Sequence, residues 1–409
     1  MPISRSQVKR DRQRGGSGRS DFVLVVLIAI LTIIGLVMIS SASVVMSRTV
    51  AGQSNYYFFT QLAAAGIGLV LLYIFSKIDY RFWAKISPIL LCLSILLLIA
   101  VFIPHVGFSH NGASRWINLG FINLQPSEPI KLALILFLAY WFEKRGQDVR
   151  DLKRGTLSFL AIVGVIAGLV LLQPDMGTAS VIVSTAGVMF LIAGASITHI
   201  MGLILAAVAA IWGLIVVEPY RMARLTIFLN PTADSSGAGY QIQQALVAVG
   251  SGGIFGLGFG RSIQKFNYLP EAATDSIFAV IAEELGMIRA GLIIFVILLF
   301  VLRGYKIAKE APDVFSRLVA TGITTWVAAQ SFINILAILG LMPLTGVPLP
   351  FISYGGTSLV MLLAACGILL NISKNSVEGG NNANNRLGRW DWRSYLSGFG
   401  GRHRAHKAR

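Results

Sequence analysis

Apolar runs about twenty residues long, separated by short connections that hold most of the charge, dominate this 409-residue sequence. A helix needs about 20 such residues to cross ~30 Å of hydrocarbon. The run from Phe22 to Ser40 is the first and holds no charged side chain. Charged residues make up only 13% of the chain, against about 25% in soluble domains. The pattern predicts an all-α integral membrane protein of about ten transmembrane helices. They are expected at 22–44, 57–76, 85–104, 127–143, 156–172, 178–195, 198–217, 276–302, 317–341 and 355–373. Only the stretch from Gly194 to His199 divides the sixth from the seventh. Merging those two would leave nine spans and put the termini on opposite sides.

The distribution of charge sets the orientation. The net charge is +16, and 26 of the 34 Lys and Arg fall in five stretches: the tail from Arg5 to Arg19, Lys77 to Lys85, Lys144 to Arg154, Arg303 to Arg317, and Lys374 to Arg409. These alternate with nearly uncharged connections, the positive-inside pattern, so both termini are expected in the cytoplasm. Anionic lipid headgroups rather than nucleic acid are then the expected neighbours of the tails. The first apolar run is too long for a cleaved signal peptide and is read as a retained helix. Three parts result: a basic tail 1–21, a membrane domain 22–373, and a basic tail 374–409 expected to be disordered or membrane-associated. The longest connection, 218–275, is expected outside as a glycine- and polar-rich loop between helices seven and eight, and connections of that length usually carry function. No clear internal repeat supports an inverted-repeat transporter. Cys92 and Cys366 both sit inside apolar runs and read as packed side chains rather than a disulfide or metal pair.

Ionisable residues near membrane depth are costly and usually purposeful. They are Arg115, Glu128, Lys131, Asp175, Glu218, Arg221, Arg224, Glu271, Asp275, Glu283, Glu284 and Arg289, most of them near the predicted outer face. Arg115 and Trp116 form either an interfacial anchor or an anion clamp. Pro126, Ser127 and Glu128 suit a helix start, and Lys131 shares a face with Glu128. That lysine is equally placed to meet a polyanionic headgroup. The run from Gly250 to Gly260 matches neither a dinucleotide fingerprint nor a P-loop, so it reads as flexible or closely packed backbone. The histidines give no metal-ligand spacing. Asp275 stands where the long connection enters a helix, as an N-cap or as a general base toward a sugar hydroxyl. Glu283 and Glu284 lie deeper, to be paired with a buried base or backbone, or to serve a proton or ion relay.

Four blocks resemble the SEDS family of bacterial membrane glycosyltransferases: GASRWI with QPSEPIKLA, QPDMGTA, SIQKFNYLPEAATDSIFAVIAEELG, and GLMPLTGVPLPFISYGGTS. The likeness runs from about Phe22 to Ser373. The wording SIQK and YLPEA is closer to the division branch, FtsW, than to the elongation branch, RodA. The resemblance implies polymerisation of lipid II into glycan strands at the outer face of the cytoplasmic membrane, with inversion and undecaprenyl pyrophosphate as leaving group. Asp275 matches the family's essential aspartate and would act as general base. A free Asp has a pKa near ~3.9, so it assists mainly as the hydroxyl acidifies, an effect typically worth ~10²–10⁴-fold. Arg115, Lys131 and Lys265 are assigned by charge to the pyrophosphate. Glu128, Glu271, Thr274, Ser353 and Tyr354, which stand in the same blocks, complete the expected substrate-binding set. A divalent cation at the pyrophosphate is compatible with this, although no motif demands one. The implied partners are lipid II, a class B penicillin-binding protein transpeptidase and other divisome membrane proteins at the septum. Ala273 and Ser276 replace the family's usual His and Phe beside Thr274 and Asp275, and Arg289 replaces a usual small residue. A lipid II flippase and a divisome scaffold are the alternative functions. Against the flippase, the charged candidates gather at one face rather than spanning the midplane.

The topology has a direct check. A cysteine placed at Ser236 is expected to react with a membrane-impermeant thiol reagent in intact cells. Reaction only after permeabilisation would invert the long connection.

Overall fold

The computed structural model describes residues 20–375, apart from 105–106, 111–112, 119–122, 218, 231–233 and 235–236. Residues 1–19 and 376–409 of the basic tails and Ser236 therefore lie outside the described residues, as does Glu218. The helices are α1 (Phe22–Ala42), α2 (Val44–Ala51), α3 (Tyr56–Lys77), α4 (Tyr80–Ala100), α5 (Ser127–Arg145), α6 (Ser158–Leu172), α7 (Met176–Ile192), α8 (Ile197–Val217), α9 (Pro219–Leu229), α10 (Ala238–Gly252), α11 (Ile277–Glu310), α12 (Val314–Ile338) and α13 (Gly356–Lys374). A helix stands at each of the ten expected spans. Among the described residues, seven are long and apolar enough to cross a bilayer: α1, α3, α4, α6 with the π-helical turn before it, α11, α12 and α13. The chain is thus a multi-pass membrane protein. The centre of the bundle is α12 and α13, whose most apolar stretches are 72% and 78% buried, against 22% for α3.

Helix starts follow ordinary capping chemistry. Asp21 accepts from the Leu24 N–H, and Asp313 and Ser316 form a reciprocal capping box at the start of α12. Each satisfies backbone N–H groups that the first turn leaves without a partner. Asp21 also takes an ion pair from Arg303 of α11 at 2.6 Å, and its N–H reaches Ser373 Oγ of α13. This joins the first and last long helices at the face expected to be cytoplasmic.

Two connections carry structure that the sequence pattern did not reveal. Residues 107–124 hold a small antiparallel sheet in the order β1 (Gly107–His110), β2 (Ala113–Asn118), β3 (Asn123–Leu124). The expected loop 218–275 contains α9 and α10. Helix α10 is only 15 residues long, and it packs on α11 through small and branched side chains, Ile242, Ala245 and Ala248, spaced to share one face. Neither helix has the twenty-residue apolar run that marks a span. At the end of α10, a Cβ on Gly252 would fall on the main-chain carbonyl of Ala282.

Helix α11 breaks at Gly286, whose φ is 79° and ψ 171°, a region essentially confined to glycine. The glycine-rich run that follows α10 docks there backbone to backbone. Leu257 N–H donates to Glu283 O at 3.0 Å, Gly258 N–H to Glu284 O at 3.0 Å, and Met287 N–H to Gly253 O at 2.9 Å. A break inside a span frees carbonyls that lipid cannot satisfy, and here the incoming loop satisfies them. A side chain at Gly286 would meet the backbone of Phe255 and Gly256.

Gly286→Ala is expected to lower the thermal unfolding midpoint in detergent, by the order of 1–3 kcal/mol of stability. Gly291→Ala, one turn on, where an added Cβ meets nothing within 4 Å, is expected to leave the midpoint unchanged or slightly raised.

Candidate active site around Asp275

The segment that ends in Asp275 is irregular backbone at the edge of the bundle, so its polar groups need partners from the helices around it. Three buried amides supply them to this segment and to the neighbouring 342–354 connection. Asn334 of α12 donates to the main-chain carbonyls of Asp275 at 2.8 Å and Val347 at 2.7 Å. Gln330, one turn earlier, donates to Pro348 O at 2.8 Å. Gln61 of α3 donates to Ser353 O and accepts from Gly355 N–H. The hydroxyl of Ser353 accepts from Leu349 N–H at 2.7 Å, and Tyr354 N–H donates to Ala273 O at 2.9 Å. The 342–354 connection and the Asp275 segment therefore form one hydrogen-bonded unit, anchored on α3 and α12.

The carboxylate of Asp275 is half-buried. Gln241 of α10 reaches its two oxygens at 3.4 and 3.5 Å and Ser276 Oγ at 2.9 Å. A Cβ on Gly346 would stand 3.9 Å from Oδ2, so the absent side chain leaves that edge of the carboxylate uncovered. Thr274 donates to Glu271 Oε2 at 2.6 Å, and Glu271 itself has the left-handed φ of 52°. Burial first, and then the charge of Glu271, push the Asp275 carboxyl up to about 7; Gln241, its own backbone N–H and Ser276 pull the other way. Tyr354 packs edge-on to Tyr57 of α3 with ring centroids 4.7 Å apart. Burial, then Tyr57 and Tyr56, hold its phenol above the ordinary range. The arrangement offers a carboxylate able to take up a proton near neutral pH, with a second acid, Glu271, beside it.

The expected basic residues are placed differently from one another. Arg115, on β2, donates to the carbonyls of Gln173 and Pro174, which ties the small sheet to the turn before α7. Lys131 is buried in α5, bonded to Glu128 at 2.9 Å and Gln330 at 3.1 Å, with its ammonium 4.8 Å from the Trp326 ring centroid. Through Gln330 it supports the same connection that Asn334 holds. Lys265 is also buried, bonded to Glu284 at 2.8 Å, Ser41 at 2.9 Å and Gly260 O at 2.7 Å. Glu284 further accepts from Ser41, while Glu283 accepts from Ser262 Oγ and the Ile263 N–H. The two glutamates thus meet a lysine, hydroxyls and backbone N–H groups, which fasten the loop that leads to Asp275.

Gln61, Gln241, Gln330 and Asn334 escaped sequence reasoning because none is ionisable. The available signal was the pair Gln330 and Asn334, amides four apart on one face of a membrane-length helix. Among the described residues no group of three or more His, Cys, Asp and Glu is disposed to hold a metal ion.

Residues 21–378 match the family model described as "Cell cycle protein", FTSW_RODA_SPOVE. The chain is 43% identical over 356 residues to "Stage V sporulation protein E" of Bacillus subtilis (strain 168), covering 87% of this chain and 97% of that protein. It is 42% identical over 353 residues to "Probable peptidoglycan glycosyltransferase FtsW" of Trichlorobacter lovleyi, covering 86% and 93%. Among solved structures, it is similar to a chain of the complex described as "Structural coordination of polymerization and crosslinking by a peptidoglycan synthase complex". That match has a TM-score of 0.73, 29% identity, and coverage of 87% of this chain and 97% of the other. The rod shape determining protein RodA of Thermus thermophilus matches with a TM-score of 0.65 and 27% identity, covering 88% and 98%.

A carboxyl whose pKa is raised on folding favours the folded state below its unfolded value, and that contribution is lost as pH rises to about 7. Asp275→Asn is therefore expected to raise the thermal midpoint relative to wild type at pH 8, with a smaller difference at pH 5. Equal differences at both would place the carboxyl in an environment that does not perturb it.

Proposed function

The chain belongs to the cell cycle protein family of FtsW, RodA and SpoVE, and we propose that it is a peptidoglycan glycosyltransferase that polymerises lipid II during cell division. The observation that carries the catalytic part is the Asp275 carboxyl, raised to about 7 and held at a junction of three segments. In this proposal the 4-hydroxyl of one lipid II sugar attacks the anomeric carbon of another. The new glycosidic bond forms as the bond to undecaprenyl pyrophosphate breaks, with inversion. Asp275 takes the proton from the attacking hydroxyl. A base with a pKa near the working pH is both ionised and strong enough to accept that proton as it acidifies.

Charge on the leaving pyrophosphate falls to Arg115, whose guanidinium has donors beyond the two engaged with Gln173 and Pro174. Lys131 and Lys265 are each neutralised by a buried glutamate, and their contribution is to hold the site's walls. Glu271, Thr274, Tyr354 and Ser353 line or brace the acceptor side. A divalent cation accompanying the pyrophosphate belongs to the same reading and would be held by the phosphate oxygens themselves, since among the described residues no group of three or more His, Cys, Asp and Glu is disposed to take it. Its chemistry would be to stabilise charge on the departing phosphates. The complex described for peptidoglycan polymerisation and crosslinking supports a transpeptidase partner of the class B penicillin-binding type. The expected setting is the septal region of the cytoplasmic membrane, with the Asp275 face outward.

The test is polymerisation of labelled lipid II by the purified full-length chain with its cognate transpeptidase. Wild type is expected to make polymer and Asp275→Ala none at matched folding. The wild-type rate is expected to rise with pH through about 7 and to fall about tenfold per pH unit below it. Equal polymer from both proteins would remove Asp275 from the mechanism. Polymer from neither would turn the reading to a flippase or a scaffold.

A further inference from the structure

Asp275 is oriented by a side chain that lies 34 residues away, on a helix inside the connection expected to be a loop. Gln241 Nε2 faces both carboxylate oxygens and makes its shorter bond, 2.9 Å, to Ser276 Oγ. Ser276 is fully buried, and its hydroxyl lies 3.4 Å from Asp275 Oδ1. Amide, hydroxyl and carboxylate therefore close a small ring. The amide is held from both sides: α10 is fixed on α11 by the buried Ala245 and Ala248 and by the close approach of Gly252 to Ala282 O.

Of the elements packed around the carboxylate, α10 contributes Gln241 and α12 contributes Asn334, which acts on the main-chain carbonyl. The 342–354 connection contributes Gly346, and the Asp275 segment itself contributes Glu271, the charged neighbour. Among these, Gln241 is the side-chain donor from another element that meets the carboxylate.

We propose that Gln241, anchored by Ser276, is a positioning residue that orients the Asp275 carboxylate toward the acceptor hydroxyl and favours its ionised form. The proposal rests on the reading of Asp275 as the general base. It makes α10 the element whose placement sets the strength and direction of that base. A displacement of α10 would withdraw the amide and leave only the carboxyl's own backbone N–H and Ser276 against burial and Glu271, both of which favour protonation.

The experiment is the pH–rate profile of lipid II polymerisation by the full-length protein with its cognate transpeptidase, for wild type, Gln241→Leu, Gln241→Glu and Asp275→Asn. Gln241→Leu is expected to move the acid limb toward higher pH. At one pH unit below the wild-type midpoint its rate should fall a further ~3–10-fold, with most of the loss recovered well above the midpoint. Gln241→Glu keeps the size of the side chain but brings a like charge, so its limb should move further in the same direction. A uniform loss at every pH, with the midpoint unmoved, would make Gln241 merely structural and overturn the proposal. So would a Gln241→Leu profile that superimposes on wild type. Activity retained by Asp275→Asn would instead remove the general base itself, which separates failure of that reading from failure of this one.

Discussion

Hydrogen-bonding groups of an irregular backbone have no partner in hydrocarbon, and this requirement organises the protein around its candidate site. Helices satisfy their own main chain, but a site that binds a polar substrate needs loops, and loops at membrane depth are tolerated only when buried against protein. Here the 342–354 connection and the Asp275 segment are satisfied by Gln61, Gln330 and Asn334, projecting from apolar helices. The break in α11 at Gly286 is satisfied by the glycine-rich loop. Unpaired, each buried group would cost about 1–3 kcal/mol. The amides therefore fix where the irregular segments sit as well as whether they are stable.

The buried charges serve the same end. Lys131 with Glu128, and Lys265 with Glu284, are ion pairs with side chains almost wholly removed from water. Such pairs are weak evidence for stability, because desolvation offsets much of their attraction. Each is nevertheless joined to a segment of the site: Lys131 through Gln330 to Pro348, and Lys265 through Gly260 to the loop before Asp275. Their geometry is that of fasteners for irregular backbone. Asp275 enters no ion pair among the described residues, and its pKa moves to the range useful for proton transfer.

Sequence reasoning reached the helices because the hydrophobic signal is long and local. Each expected span coincides with a helix, including the weakly divided pair now seen as α7 and α8. It also singled out Asp275 as a candidate, since an acid beside a long connection and inside a recognisable block is conspicuous. It treated Glu283 and Glu284 as in need of a partner and left the partner open, and folding brings Lys265, Ser41 and Ser262 to them. It missed α9 and α10, which are short and amphipathic rather than apolar. It also missed the amides, which carry no charge and leave no mark on a hydropathy profile.

From the sequence alone follow the membrane as solvent, the family likeness, and the acid expected to do the chemistry. These depend on composition over about twenty residues, or on blocks that can be read in order. Tertiary structure decided which residues surround that acid: Gln241 from 34 positions earlier, Asn334 from 59 later, and Gly346 beyond that. It also decided that two lysines assigned by charge to substrate are held by glutamates. Proximity between distant segments is a property of packing. A one-dimensional pattern shows which side chains need partners, but only the folded chain determines which partners they meet.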